Sequence, residues 1–442
     1  MRKIFQYIML AAAIIVMASC TCDMDDTTAS TGKSHVQLIV GEFPAFGDSQ
    51  TRAIGTPDAG KTSWAVGDEL LLMLGNTTYG DQYATFVYNG ENWTLENGEC
   101  YCKEGDPACI PSVYYAPNYK WKEGKLELKD GKVVGTTEYI EGNGSIHDYD
   151  DVQISFSSST RNYSRLRIAT MPNVEISVET KEFIPANVVE AIDQTYSLTT
   201  DSKGNAYLYG TFTNNSSVTV KYNDITLTDY TFTEKTTSGK SYALDATVIS
   251  ETTPEALKSA VAAKLASGKT KIQLLLPSDA DEQMFNAIRD ALDIDVLYGS
   301  IDLVVMGAET IPEHAFFDRS QLGSVILPDV KDINVWAFGS CYGLKTVEAP
   351  RLNKIYYGAF DGCGQLAKLV FGPIDYADDS SIRIFGSTEN TDLVLSNKQK
   401  AMKETSSHIY EATDESLSEA LGSDNTFLGY RFKSITFENK VE

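Results

Sequence analysis

The chain has 442 residues, which is enough for about two to four domains on length alone. Its 61 acidic and 37 basic residues give a net charge of −24, so it repels polyanions and is not expected to bind nucleic acid. The hydrophobic fraction of 42% is that of an ordinary globular protein, and the 24 tyrosines favour β-strands.

The N-terminal segment has the pattern of a secretion signal. Residues 1–3 carry positive charge, residues 4–16 form an uncharged apolar run, and small residues precede Cys20. The apolar run is too short to span a membrane. Met17-Ala18-Ser19-Cys20 resembles a bacterial lipobox, which implies cleavage before Cys20 and a lipid on that cysteine as the sole contact with the membrane. The alternative is ordinary secretion without a lipid.

Residues 1–19 are therefore the predicted signal peptide, and residues 20–35 form an acidic flexible tether. The acidic stretch at residues 21–26 resembles the signal that sends lipoproteins of Bacteroides-type bacteria to the outer face of the outer membrane. The resemblance implies an outer-membrane, lipid-anchored protein exposed on the cell surface. The alternative is a solvated linker that carries no sorting signal.

Residues 36–148 alternate between strand and turn patterns. Residues 69–74 read as a buried strand, and the turn at Asn89-Gly90 lies between two alternating segments, which predicts a hairpin. A second hairpin is expected in residues 125–134, around Asp130-Gly131. Short strands at this spacing predict an antiparallel β-sandwich.

Three segments of this region resemble the fimbrillin family: Thr51-Arg52-Ala53, residues 61–69 and residues 83–93. The resemblance implies two tandem transthyretin- or Ig-like antiparallel β-sandwiches, the first over residues 36–148 and the second over residues 149–250. The second sandwich is expected to begin with a strand at residues 152–156. The family includes pilins, pilus anchors and tip subunits, so other fimbrillin subunits are candidate partners.

Arg52 lies where polymerising members of that family are cut by a protease. The resemblance implies that loss of the first strand opens a groove, which the next subunit fills by strand addition. The alternative is that Arg52 is an uncut loop residue in a lipoprotein that acts alone, since ordinary stalk pilins carry no leucine-rich tail.

Seven cysteines are present. Cys100, Cys102 and Cys109 make a poor metal site because no histidine lies nearby, and one disulfide, such as Cys102–Cys109, is favoured in an exported protein. Cys341 and Cys363 occupy one slot of the sequence repeat, so they are expected to be small buried fillers.

Residues 251–300 change to a mixture of helices and strands. A helix is expected to begin at Thr253-Pro254, followed by a strand at residues 271–276, a helix at residues 279–292 and a strand at residues 301–305. This segment is predicted to cap the repeats that follow.

Residues 301–373 repeat with a period of 22. An Ala-Phe pair recurs at 315, 337 and 359, and a leucine follows at 322, 344 and 366. Such a period predicts a solenoid, in which each turn buries its apolar face against the next. The pattern Ile-Pro-x-x-Ala-Phe, then Leu-x-x-Val-x-Leu-Pro, resembles the BspA-like leucine-rich repeat of bacterial surface proteins. Residues 374–442 are predicted to form an irregular C-terminal cap with a helix near residues 415–421 and a final strand at residues 432–437.

The strand of each repeat has an inward and an outward side. Val325 and Leu327 point inward by alternation, and the residues between them point outward. The corresponding positions of three repeats form the candidate ligand surface: Ser324, Ile326, Thr346, Glu348, Lys368 and Val370.

No motif for catalysis stands out, so an enzyme, a cofactor and a metal are not predicted. Residues 236–241 resemble a phosphate-binding loop, but Glu234 replaces its first glycine. The expected protein is mainly β with a smaller α+β part, and it is a non-enzymatic adhesion protein that binds a host or microbial surface protein or glycan. The alternatives are a pilus accessory or tip subunit, and a glycan-binding protein or hydrolase. The nearest aromatic residues for a sugar site are Trp336, Tyr356 and Tyr357.

Overall fold

The computed structural model describes residues 34–46, 61–102, 110–147, 151–157, 161–294, 296–377, 383–406, 409–412 and 425–438. This part of the chain is mainly β and contains two α-helices. None of its helices has the length and apolar character needed to cross a membrane. The signal peptide, Cys20, Arg52 and the helix expected near residues 415–421 lie outside the described residues.

The first sheet has seven strands over one apolar core. All neighbouring strands are antiparallel except the first pair, which is parallel. The predicted hairpin at Asn89-Gly90 is confirmed, because Tyr88 pairs with Trp93 across it. Two short strand pairs accompany the sheet, Ser34–His35 with Tyr101–Cys102 and Tyr119–Lys122 with Lys125–Leu128. In spatial order the seven strands are Gln37–Val40, Asp151–Ser155, Ile140–His147, Ile110–Tyr115, Glu69–Thr77, Gly80–Tyr88 and Trp93–Gly98.

Two sequence predictions for this region are wrong. The domain boundary at residue 148 divides the first sheet, because Asp151–Ser155 pairs with Ile140–His147 and places Val152 and Ile154 in the first core. The second hairpin does not turn at residues 130–131. Its turn is at Glu123-Gly124, where both residues have the positive φ (49° and 77°) that a tight two-residue hairpin turn requires.

The second sheet has its own core, in which the ring of Phe212 stacks between Phe183 and Phe232 at 4.5 Å on each side. One strand, Asn205–Tyr222, is long enough to pair with three others. The strand order is Ile192–Thr199, Glu175–Pro185, Asn205–Tyr222, Ser164–Ala169 and Ser241–Asp245, with Ile225–Thr231 also paired to Asn205–Tyr222.

Residues 41–46, which follow the edge strand Gln37–Val40, lie across the junction of these two sheets. Phe43 packs on the first core, and Phe46 packs beneath the guanidinium of Arg161, whose Cζ lies 4.1 Å from the ring centroid. Arg161 is fully buried and donates from Nε and Nη2 to the carboxylate of Glu138, at 3.1 and 3.0 Å, and from Nη1 to the carbonyl of Pro44. A buried charge is tolerated because it is paired and hydrogen-bonded in this way.

The two helices begin near their predicted positions, and each has a side-chain cap. Pro254–Ala266 is capped by Thr253, and Glu282–Ala291 by Asp281. The predicted strands beside them are confirmed as Lys271–Leu275 and Ile301–Met306. These two strands open a long sheet of seven parallel strands, which continues through Leu322–Ile326, Thr346–Ala349, Lys368–Phe371, Asp392–Ser396 and Ser434–Glu438.

A second, shorter sheet runs beside the long one. Its parallel strands have two residues each and recur at the 22-residue period: Thr310–Ile311, Asp332–Ile333, Lys354–Ile355 and Tyr376–Ala377. The strands Ile409–Ala412 and Met402–Ser406 extend it in the antiparallel sense. The described residues from Ile301 to Glu438 are called the repeat region below.

The core of the repeat region contains a column of phenylalanine rings. Neighbouring rings are nearly parallel and lie 5.1, 5.3 and 5.8 Å apart along the series Phe316, Phe338, Phe360 and Phe385. Phe285 of the second helix meets the first ring edge-on, and Tyr430 meets the last ring in the same manner. Each turn therefore buries its ring against the next, and perpendicular rings close both ends of the column.

Candidate ligand surfaces of the repeat region

The predicted surface residues lie in two rows on the outer face of the long sheet. Strand pairing aligns Ser324, Thr346 and Lys368 in one row. The same pairing aligns Ile326, Glu348 and Val370 in the other row. The parallel register of the repeats thus brings the six positions together, as the alternation predicts.

One of the six, Ile326, is half-buried and packs against the core of the second sheet. The second sheet covers the first strands of the long sheet, so that Val304 and Met306 are buried in the second core and Ile326 packs against it. Lys271 reaches across this contact and donates from Nζ to the carbonyl of Leu227 at 2.9 Å. Burial there lowers the pKa of Lys271. The alternation shows that the side chain of Ile326 points away from the core of the repeats, but it does not reveal the second sheet that packs on it.

The remaining five residues, called the strand strip below, are Ser324, Thr346, Glu348, Lys368 and Val370. Lys368 is exposed and the other four are half-buried. The row that begins at Ser324 continues to Asp392, whose carboxylate accepts from Lys433 Nζ at 2.8 Å, a bond that lowers the pKa of Asp392. The strip is therefore a mixed surface of hydroxyl, charged and apolar groups.

A cleft of about 260 Å³ lies between the second sheet and the residues at the ends of the first long-sheet strands. Its walls are Tyr222 and Ile225 from a hairpin of the second sheet, and Met306 and Arg351 from the repeat region. Arg351 pairs with Asp329 at 3.2 Å. The cleft is therefore lined by both the second sheet and the repeat region, and no residue of the strand strip lines it.

A second surface follows the turns after the short sheet. Four rings form a continuous line there, called the aromatic ridge: His314, Phe317, Trp336 and Tyr357. Successive centroids are 5.5, 6.0 and 5.7 Å apart, and neighbouring planes are nearly perpendicular. The structure thus brings together two of the three aromatic residues expected from the sequence. The third residue, Tyr356, lies instead against Tyr376, at 5.5 Å.

Sequence reasoning missed Phe317 and His314 as members of this ridge. The available signal was the residue that follows the Ala-Phe pair, which is Phe317 in the first copy but Gly339 and Asp361 in the next two. A second large ring at a turn position has no place in the core. It therefore has to lie on the surface of the turn.

Trp336 has a backbone conformation that large side chains rarely adopt. Its φ is 53°, and the same slot holds His314 at 56° in the preceding repeat and Gly358 at 67° in the following one. A Cβ on Gly358 would lie 2.7 Å from Cδ2 and Cε2 of the indole. These two atoms are shared by the fused rings and can be approached only over a ring face. One face of the indole therefore lies directly on the Gly358 backbone.

The two repeat cysteines are buried, as expected for fillers of one slot. Cys341 and Cys363 donate from Sγ to the carbonyls of Phe316 and Phe338, each at 3.0 Å. The pKa of Cys363 is raised by its hydrogen bond with Cys341 and by burial.

Cys100 is buried in the first core, and the predicted Cys102–Cys109 disulfide cannot be placed because Cys109 lies outside the described residues. Within the described ranges, no group of three His, Cys, Asp or Glu side chains is arranged to hold a metal ion.

Residues 309–431 match the BspA type leucine rich repeat region, in six copies. The match begins at the first short-sheet strand and continues past residue 373, so the BspA-type repeats extend into the segment that the sequence predicts as an irregular cap. No curated protein and no solved structure matches the chain. BspA-type repeats indicate a surface adhesion or binding role.

Proposed function

We propose that this chain is a non-enzymatic lipoprotein of the outer cell surface that binds a host or microbial ligand through its BspA-type repeats. In this proposal the repeats form a solenoid, Cys20 carries the lipid, and the two N-terminal sheets are fimbrillin-like sandwiches that hold the repeats away from the membrane. The single observation that supports binding most is the strand strip, where outward side chains of successive repeats align in register on the outer face of the long sheet.

The arrangement of the second sheet supports the same proposal. It covers the first strands of the long sheet through Val304, Met306 and Ile326, and it leaves the strands from residue 346 onward uncovered by its core. A ligand surface held by a packed domain contact loses little freedom on binding, because neighbouring elements already fix its side chains.

The test is a variant in which four strip residues are changed to alanine: Thr346, Glu348, Lys368 and Val370. Ile326 stays unchanged because its truncation would disturb the second core. Beads coated with purified protein are applied to epithelial cell monolayers and to mixed bacterial films. We expect the strip variant to lose adhesion while Tyr342→Ala, which alters an exposed ring in the repeat region outside the strip, adheres like the parent. Equal adhesion of the strip variant and the parent would reject the proposal.

A second candidate function is a pilus accessory or tip subunit that is processed after Arg52. The observation that favours it is the role of the chain before Arg52. Gln37–Val40 forms an edge strand, and Phe43 and Phe46 fill the first core and its junction with the second sheet. Removal of this segment would open an apolar groove beside Asp151–Ser155 that another strand could enter.

Mass spectrometry of protein shaved from living cells separates the two functions. A lipidated chain that starts at Cys20 supports the lipoprotein that acts alone. A chain that starts at Ala53 in high-molecular-weight material supports the pilus subunit.

A further inference from the structure

The aromatic ridge retains a tryptophan where a glycine would be less strained. Trp336 adopts a positive φ that is disfavoured for large side chains, and the next repeat holds Gly358 in the same slot at the same conformation. The phenylalanine column and the alternating strands already supply the core of this turn. The strained tryptophan therefore points to a surface function for its ring.

Two glycines, Gly358 and Gly339, pack against the indole of Trp336. Gly358 lies under one indole face, and a Cβ on Gly339 would lie 2.4 Å from Cε3 of the indole. Phe317 and Tyr357 stand nearly perpendicular on either side, with centroids at 6.0 and 5.7 Å. The indole is thus held in one orientation before any ligand arrives, which lowers the entropic cost of binding.

The polar tips of the ridge are open to a ligand. Within the described part of the chain, the indole N–H of Trp336 and the hydroxyl of Tyr357 have no hydrogen-bond partner, and neither atom is buried. Charged residues lie close to the ridge in the sequence: Asp318, which follows Phe317, is exposed, and Asp361, four residues after Tyr357, lies 3.8 Å from Arg383. The ridge therefore combines aromatic rings with the unpaired indole N–H of Trp336 and the unpaired hydroxyl of Tyr357.

We propose that the aromatic ridge binds neutral oligosaccharides, with Trp336 as the stacking platform. This inference rests on the proposed function and names the ligand class of one surface of the repeat region. A sugar ring offers an apolar C–H face to an indole and hydroxyls to the surrounding polar groups, which is the combination that the ridge supplies. A protein partner fits less well, because the ridge is a single line of four rings, and a specific protein interface buries about 1,000 Å² or more. The net charge of −24 favours neutral over acidic glycans.

The experiment uses the full chain and an array of neutral oligosaccharides that includes malto-, cello-, manno- and xylohexaose. Calorimetry then measures the Kd of the strongest binder for the parent, Trp336→Ala and the control Tyr342→Ala. Tyr342 is an exposed ring, 51% accessible, outside the ridge. We expect Trp336→Ala to weaken binding by about tenfold or more and the control to bind normally. Trp336→His places in this slot the residue that the preceding repeat holds there. It therefore removes the indole while keeping a side chain that the turn accommodates.

Two outcomes would overturn the inference. One is an array without any bound neutral oligosaccharide, and the other is an unchanged Kd in both Trp336 variants. The strip variant separates this failure from failure of the proposed function. If the strip variant loses adhesion while both Trp336 variants bind and adhere like the parent, the repeat region binds its ligand on the strand strip and the ridge is not a glycan site.

Discussion

Replacing Phe338 by alanine is expected to loosen the entire repeat region. The ring of Phe338 is fully buried and stacks between Phe316 and Phe360, with centroids 5.1 and 5.3 Å away. Truncation of a core phenylalanine costs about 3–5 kcal/mol. The upper half of that range is expected here, because two ring contacts are lost and each adds about 0.5–1.5 kcal/mol beyond burial.

Hydrogen exchange with peptide-level mass spectrometry is the appropriate assay, since the chain contains several cores and a single unfolding midpoint would mix them. Exchange in Phe338→Ala should rise in strands Leu322–Ile326, Thr346–Ala349 and Lys368–Phe371 together, because repeat stability depends on neighbouring turns. The strand Glu69–Thr77 of the first sheet should exchange as in the parent. The exposed control Tyr342→Ala should shift stability by no more than about 0.5 kcal/mol. Faster exchange confined to the turn of Phe338, or a cost below about 1 kcal/mol, would refute the reasoning.

Three further predictions concern single residues. Arg161→Met should lower the stability of the first sheet by about 3–5 kcal/mol because it leaves the buried carboxylate of Glu138 without its cationic partner. Hydrogen exchange of the strand Ile140–His147 measures the loss, and a value under about 1 kcal/mol would contradict this. Gly358→Ala should destabilise the repeat region and shift the tryptophan emission, because its Cβ meets the indole face at positive φ, whereas Gly364→Ala has open space and should be neutral. Burial raises the pKa of Asp375 above 3.8 despite a nearby lysine, so its ionised form is penalised in the folded state. Asp375→Asn, which copies Asn353 one turn earlier, should therefore slow hydrogen exchange of the repeat region relative to the parent at pH 7, and this gain should vanish as the pH falls to about 3.8. An equal gain at both pH values would exclude this cause.

The 22-residue period predicts which side chains are buried between neighbouring repeats. The recurrence of Phe316, Phe338 and Phe360 indicates which side chains one turn buries against the next, and the structure stacks all three. The caps at Thr253 and Asp281 depend on neighbours in the sequence, which explains why the helix positions could be predicted. These features follow from local spacing alone.

Features that depend on contacts between distant segments could not be predicted in this way. Asp151–Ser155 alternates as a strand of either sheet would, and only its pairing with Ile140–His147 assigns it to the first sheet. Ile326 reads as outward, but its exposure depends on a domain that ends some eighty residues earlier. The aromatic ridge combines rings from different slots of the repeat, so a search within one slot does not find it.

Adhesion of living cells that display the chain is the most direct test of binding through the BspA-type repeats. Cells with the parent protein, the four-residue strip variant or Tyr342→Ala are compared on epithelial monolayers at equal surface density, measured by antibody. The proposed function predicts that the strip variant falls to the level of cells without the protein while the control matches the parent. Parental adhesion by the strip variant would contradict the claim that the repeats bind their ligand on the strand strip.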